Sequence, residues 1–160
     1  MPSEVTTESD QDGMPLMADV MSGPNYPLAK AFEIAGWRTF AIDLLFGEQY
    51  DLSKLENQEK VREHLKQADF IWAALDCSTE TRCREIPRKH ADGKSMLSPL
   101  RSQEYPMGMP ELQGHDKKRV AADNTAAEFV LGELRLHQSK GGGSGKRTQL
   151  TACTGTRLQK

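Results

Sequence analysis

The sequence predicts an α/β fold built on a small parallel sheet, and three observations carry the prediction. Short apolar runs rich in β-branched and aromatic residues alternate with longer segments whose apolar positions recur at helical spacing. Gly, Pro and Asn punctuate the junctions between them. The last clear strand-like run is continuously apolar, as expected of a strand covered on both faces. At 160 residues the chain has room for one domain.

Residues 1–15 are expected to be a disordered tail, because the opening MPSEVTTESDQDG is dominated by acids and hydroxyls and buries too little surface to offset the entropy of ordering. Leu16 to Met21, LMADVM, then reads as a strand that ends in the breaker cluster Ser22-Gly23-Pro24-Asn25. Pro27 suits a first helical position. Leu28, Ala31, Phe32 and Ala35 follow it at i, i+3, i+4 and i+7, and Gly36 stops the helix. Trp37 to Leu45, WRTFAIDLL, is a second strand, so these elements form one βαβ unit.

Leu55, Val61, Leu65 and Ala68 define the next helix, and Asp69 to Leu75, DFIWAAL, the strand expected to be buried on both faces. From Asp76 to His115 the pattern dissolves into charges and turn residues, including Pro87, Pro99, Pro106 and Pro110. A stretch of about 40 residues without periodic structure points to a functional loop or an insertion. Val120, Asn124, Ala127, Leu131 and Leu134 mark a last helix that ends near His137. The Gly-rich run from Lys140 to Lys146 follows. The predicted organisation is therefore one domain over 16–138 and a disordered Gly-rich tail over 139–160.

Composition excludes several classes of function. Lys plus Arg number 21 against 23 for Asp plus Glu, and the resulting charge of -2 makes no electrostatic case for nucleic acid or a membrane surface. Apolar runs such as Phe70 to Leu75 fall far short of the roughly 18 to 20 residues that span a bilayer, so no membrane association is expected. The acidic start does not read as a secretion leader. Cys77, Cys83 and Cys153 lack the paired spacing of a zinc site, which fits a reducing, intracellular compartment. His64, His90, His115 and His137 have no metal-ligand spacing and are expected at solvated positions. Lys117 to Arg119 is expected to be a solvated helix start. The run G-S-G-K-R-T resembles a phosphate loop only superficially, since Arg147 follows Lys146 where Ser or Thr is required.

Ligands of open parallel sheets bind at the carboxyl ends of strands, so the residues just after each predicted strand are the candidates. Gly23 permits close backbone approach in the first loop, and Asp43, at the end of the second strand, can accept both hydroxyls of a ribose. The loop does not complete G-x-G-x-x-G, so a dehydrogenase-type dinucleotide site is not indicated. Ordinary loop residues would look the same. Cys77 lies just past the third strand with Arg82, Arg84 and Arg88 nearby; such cations lower a thiol's pKa, whereas Asp76 opposes them. An inert, space-filling thiol is the alternative.

ADVMSGPNYPLAKAFEIAGWRTFAID resembles the first motif and second strand of carbon-5 cytosine DNA methyltransferases, and DFIWAALDCSTETRCREIPR is similar to that family's strand and nucleophile loop. ALDCSTETRCREIPR, PLRSQEYPMGMPEL and the helix containing RVAADN resemble more closely a divergent methyltransferase-like group of retroelement-type polyproteins. The resemblance spans residues 16–138. It implies a Rossmann-like class I methyltransferase sheet, truncated after about three to four strands, and S-adenosylmethionine as cofactor.

By position, Ser22 and Gly23 would line the methionine part of the cofactor, Asp43 would take the ribose hydroxyls and Asp51 would face the adenine. Cys77 would attack carbon 6 of a cytosine flipped from its stack, and Arg82 and Arg84 would lie near DNA phosphates. DNA is thus the implied partner, with the nucleus among the compartments that would fit. Asp76 and Asn25 depart from the family pattern, and no later strand ending in Glu-Asn is evident. The implied activity is methyl transfer to cytosine carbon 5, expected to be impaired or absent in the isolated chain for want of the carboxyl-terminal half. A cofactor-binding module without turnover, and a partner-dependent fragment of a retroelement-derived polyprotein, are the alternatives.

Overall fold

The computed structural model describes residues 13–76, 78–79, 89, 91–93, 98–140 and 147–152, the last segment by its backbone. In chain order the elements are β1 (Leu16–Val20), α1 (Pro27–Ile34), β2 (Arg38–Ile42), two short 3-10 turns (Leu44–Phe46 and Glu48–Tyr50), α2 (Leu55–Gln67), β3 (Phe70–Leu75), α3 (Gly114–Lys140) and β4 (Arg147–Ala152). The strands form one parallel sheet in the order β2-β1-β3-β4. β1 is entirely buried because it is central and flanked by β2 and β3.

The topology decides which residues form the core. The chain steps from β1 to β2 on one side, then crosses back to β3 on the other and continues to β4. α1 covers one face of the sheet, and α2 with α3 the opposite face. Leu16, Ala18 and Val20 of β1, with Ile71 and Ala73 of β3, pack against Val61 and Leu65 of α2 and Ala126, Phe129, Val130 and Leu134 of α3. Among the described residues fourteen buried ones form this cluster, and they belong to the face with two helices.

The face with one helix is thinner. Phe32 of α1 stacks on Phe70, with ring centroids 5.4 Å apart, and meets Trp37 edge-on at 5.1 Å. Within α1 only Ala29 is fully buried, and Ile34 is 90 % exposed. This corrects two expectations. The apolar face anticipated for α1 is only partly covered, and β3 is not buried on both faces: Ile71 and Ala73 are buried whereas Phe70, Trp72 and Ala74 are half-exposed.

Other differences concern the chain beyond β3. The buried stripe of α3 runs through Val120, Ala126, Phe129, Val130, Leu134 and His137, with Ala127 and Leu131 at its margin. His137, expected at a solvated position, is 6 % exposed, and its Nε2 donates to the Ala68 carbonyl at 2.8 Å, tying the end of α3 to the end of α2. His64 lies flat on Phe40, with centroids 4.0 Å apart. The helix continues to Lys140, and β4 pairs in parallel with β3 from Phe70↔Arg147 to Leu75↔Ala152, where a disordered tail was expected. A partner strand supplies hydrogen bonds that a polar segment cannot signal by its own pattern. The predicted tail over 1–15 falls mostly outside the described residues.

Part of the stretch from Asp76 to His115 that looked patternless is an ordered loop. Leu100 is 1 % exposed, and its carbonyl accepts the Met109 N–H at 2.9 Å, closing residues 100–109 into a compact turn. Gly108 has φ +124°, and a Cβ there would lie 2.8 Å from Cγ1 of Val120. Only glycine lets the loop sit this close to α3.

Candidate functional site at the carboxyl ends of the strands

The first loop is held by a clasp from the neighbouring strand. Gly23 N–H donates to Asp43 Oδ2 at 2.9 Å, Leu45 N–H donates to Asp43 Oδ1 at 2.9 Å, and Ser22 N–H donates to the Ile42 carbonyl at 3.0 Å. Asp43 thus joins the exit of β1 to the exit of β2, and it caps the 3-10 turn that follows. Met21 and Tyr26 have φ of 59° and 34°, so two non-glycine residues of this loop occupy the left-handed region. Such strain persists only where surrounding contacts impose it, and it concentrates at binding sites.

Asp19 supports the loop from below. It is 1 % exposed, on the α1 face of β1, and Oδ2 accepts the Ala29 N–H at 3.3 Å. Tyr26, the residue preceding α1, offers no side-chain cap, so Asp19 supplies the acceptor that the first turn of the helix needs. Burial pushes the Asp19 carboxyl above its ordinary range, the hydrogen bond from Ala29 opposes that, and the nearby charge of Asp43 adds to the rise.

Because the chain crosses from β2 back to β3, strand order reverses between β1 and β3, and ligand sites of open α/β sheets occur outside such points. A small pocket of about 20 Å³, the size of one water molecule, lies there, lined by Met21, Leu75, Asp76, Asp123, Ala126 and Ala127. Asp76 is turned onto Ser78, whose N–H and hydroxyl donate to its two oxygens at 2.8 and 2.9 Å. Burial raises the Asp123 carboxyl above its ordinary range; a hydrogen bond from Thr79 opposes it, and the Asp76 charge reinforces it. Among the described residues, Oδ2 of Asp123 and Oγ of Ser22 are buried without a hydrogen-bond partner.

The structure brings Ser22, Gly23 and Asp43 together at the exits of β1 and β2. Asp51 has local contacts: Oδ1 accepts from the N–H and hydroxyl of Ser53 at 3.0 and 2.6 Å, and Oδ2 lies 3.9 Å from Lys54 Nζ. Cys77, Arg82 and Arg84 lie outside the described residues. Asp19 and Asp123 were missed as site residues. Asp19 was hidden inside an apolar run, and the one available signal for Asp123 was its place in RVAADN, because a helical acid four residues beyond an arginine usually reads as a surface pair.

Among the described residues no helix is long and apolar enough to cross a membrane, and no group of three or more His, Cys, Asp or Glu side chains could hold a metal ion. Comparison with known proteins returned no match to a family model, a curated protein or a solved structure.

Proposed function

We propose that the chain is a methyltransferase-like α/β domain of the cytosine carbon-5 type, with an S-adenosylmethionine site at the carboxyl ends of β1 and β2. The observation that carries this reading is the Asp43 clasp, which sets the terminal acid of β2 against the backbone of a strained glycine loop. The residues fit the cofactor. Each Asp43 oxygen accepts one backbone N–H and retains a lone pair for a ribose hydroxyl. Nothing lies within 4 Å of the position a Cβ would take at Gly23, so the loop is open to a ligand's approach. Ser22 Oγ has no hydrogen-bond partner among the described residues, which leaves its bonding capacity for a ligand once the side chain turns outward.

When bound, the cofactor supplies an electrophilic methyl group. The chain's own contribution would be to bind the diol on Asp43, orient the ligand on Ser22 and Gly23, and offer Cys77 as nucleophile toward a DNA cytosine. One observation favours a binding module without turnover as the second reading. β4 stands beside β3, but its sequence RTQLTA lacks the Glu-Asn pair that the resemblance requires on a later strand.

The test is calorimetric titration of the 160-residue chain with S-adenosylmethionine, with Ser22→Ala as the control. That hydroxyl has no partner among the described residues, so its removal is expected to leave the fold intact and to report on the ligand. Saturable binding, weakened about fivefold to tenfold by the substitution as for one lost hydrogen bond, is the expected result. A folded chain that does not bind the cofactor would refute the reading.

A further inference from the structure

We propose that the outer face of α3 is the interface of a homodimer, in which a second copy of the chain packs its own α3 antiparallel across Gly132. α2 and α3 lie side by side over the sheet, and an open groove of about 340 Å³ between them is lined by Leu55, Arg62, Glu128, Phe129, Gly132 and Leu136, among others. Its floor is Phe129, 7 % exposed, with the Arg62 guanidinium 5.5 Å above the ring and paired to Glu133 at 2.7 Å. Its rim carries Leu55 and Leu136, which are 74 % and 53 % exposed. At Gly132 the wall has no side chain, and a Cβ there would find nothing within 4 Å. Glycine inside a helix is less stable than alanine, and no contact among the described residues requires it at this position.

Helical geometry sets what a second copy meets. At about 100° per residue, Leu136 and Phe129 lie about 40° and 60° to one side of Gly132, and Glu128 and Arg135 about 40° and 60° to the other. A two-fold axis perpendicular to α3, and to the line joining the two helices, reverses the helix while keeping each side opposite its own kind. Leu136 of one copy then enters the groove of the other beside Phe129 and Leu55, and Arg135 of one copy meets Glu128 of the other, each contact made twice. Parallel packing would set Glu128 on Phe129 and Arg135 on Leu136, so the pattern selects the antiparallel arrangement. Glu128 and Arg135 are both exposed, and neither has an ion pair among the described residues. They stand about 10.5 Å apart along the axis, too far to pair within one chain, and no opposite charge lies three or four positions from either. This self-complementary charge commits the groove to a second copy instead of an unrelated chain.

Sedimentation equilibrium of the full 160-residue chain, up to millimolar concentration and at low salt, measures the dimer constant. Gly132→Gln fills the crossing point and should weaken the dimer by about tenfold or more. Glutamine is the better helix former, so thermal melting of the dilute, monomeric variant should be no lower than that of wild type. Glu128→Arg and Arg135→Glu each turn two attractive contacts into two repulsive ones, and each alone should weaken the dimer by about tenfold. An equimolar mixture of these two variants should associate to within about threefold of wild type, because both contacts between unlike chains are attractive again. Recovery in the mixture cannot come from a change within one chain, and it keeps the test valid if Gly132→Gln does not fold. A wild-type chain that stays monomeric throughout, which would leave the groove to a different partner or to none, would overturn the proposal. So would a dimer indifferent to Gly132→Gln or to both charge reversals, because the copies would then meet through another surface.

Discussion

Replacing Asp43 by Ala should loosen the first loop before it affects any ligand, and the size of the effect can be worked from the clasp. The hydrogen bond from Gly23 N–H is partly buried, and that from Leu45 N–H is exposed. A bond to a charged acceptor in the first setting contributes about 1.5 kcal/mol. An exposed cap that water can replace contributes about 0.5 kcal/mol. The expected loss is therefore about 2 kcal/mol, or a fall of about 1 M in the urea midpoint at a slope of about 2 kcal/mol per M. Asp43→Asn retains one acceptor oxygen but presents an amide NH2 to the other backbone N–H, so about half the loss should remain. Equilibrium unfolding followed by tryptophan fluorescence measures both. A midpoint for Asp43→Ala within about 0.2 M of wild type would mean that the clasp does not hold the loop.

Two further outcomes follow from particular contacts. Burial raises the Asp19 carboxyl, so the folded chain retains a proton that the unfolded chain releases, and stability falls as pH rises from the ordinary carboxylate range through the raised folded value. Asp19→Asn should therefore gain stability over wild type near pH 7 and lose that advantage near pH 4; a pH series of urea midpoints with equal slopes for the two proteins would count against it. Gly108→Ala should cost about 2 to 3 kcal/mol, since φ is +124° and the new Cβ would meet Val120 Cγ1 at 2.8 Å. Thermal melting of that variant beside Gly108→Ala/Val120→Ala separates the steric part from the backbone part, and no relief in the double variant would place the clash elsewhere.

The order of elements from β1 to α2 was legible because each carried its own local signal. Pro27 and Gly36 bracket α1, and the apolar spacing of Val61 and Leu65 follows the period of α2. Ser22, Gly23 and Asp43 could be picked out because the ends of parallel strands are where such sheets bind ligands, although their mutual hydrogen bonding could not. His137 was misread because a lone polar residue at a helix end looks solvated unless its acceptor is known, and the Ala68 carbonyl lies 69 residues away in sequence. Asp19 was hidden inside an apolar run, and Arg101 and Asn124 were silent for the same reason as His137. Their partners come from distant segments, and a network assembled from single residues leaves no periodicity.

What the sequence determined by itself was the α/β class, the parallel βαβ start and the residues at the first two strand ends, since propensity, capping and hydrophobic period act within a few residues of each position. The tertiary structure alone decided the strand order, the face on which each apolar residue is buried, the pairing of β4 with β3 and the hydrogen bond from Arg101 to Thr79. Those outcomes depend on the hand of each crossover and on which segments meet across the sheet, and the free energy of such contacts belongs to pairs of residues far apart in the chain.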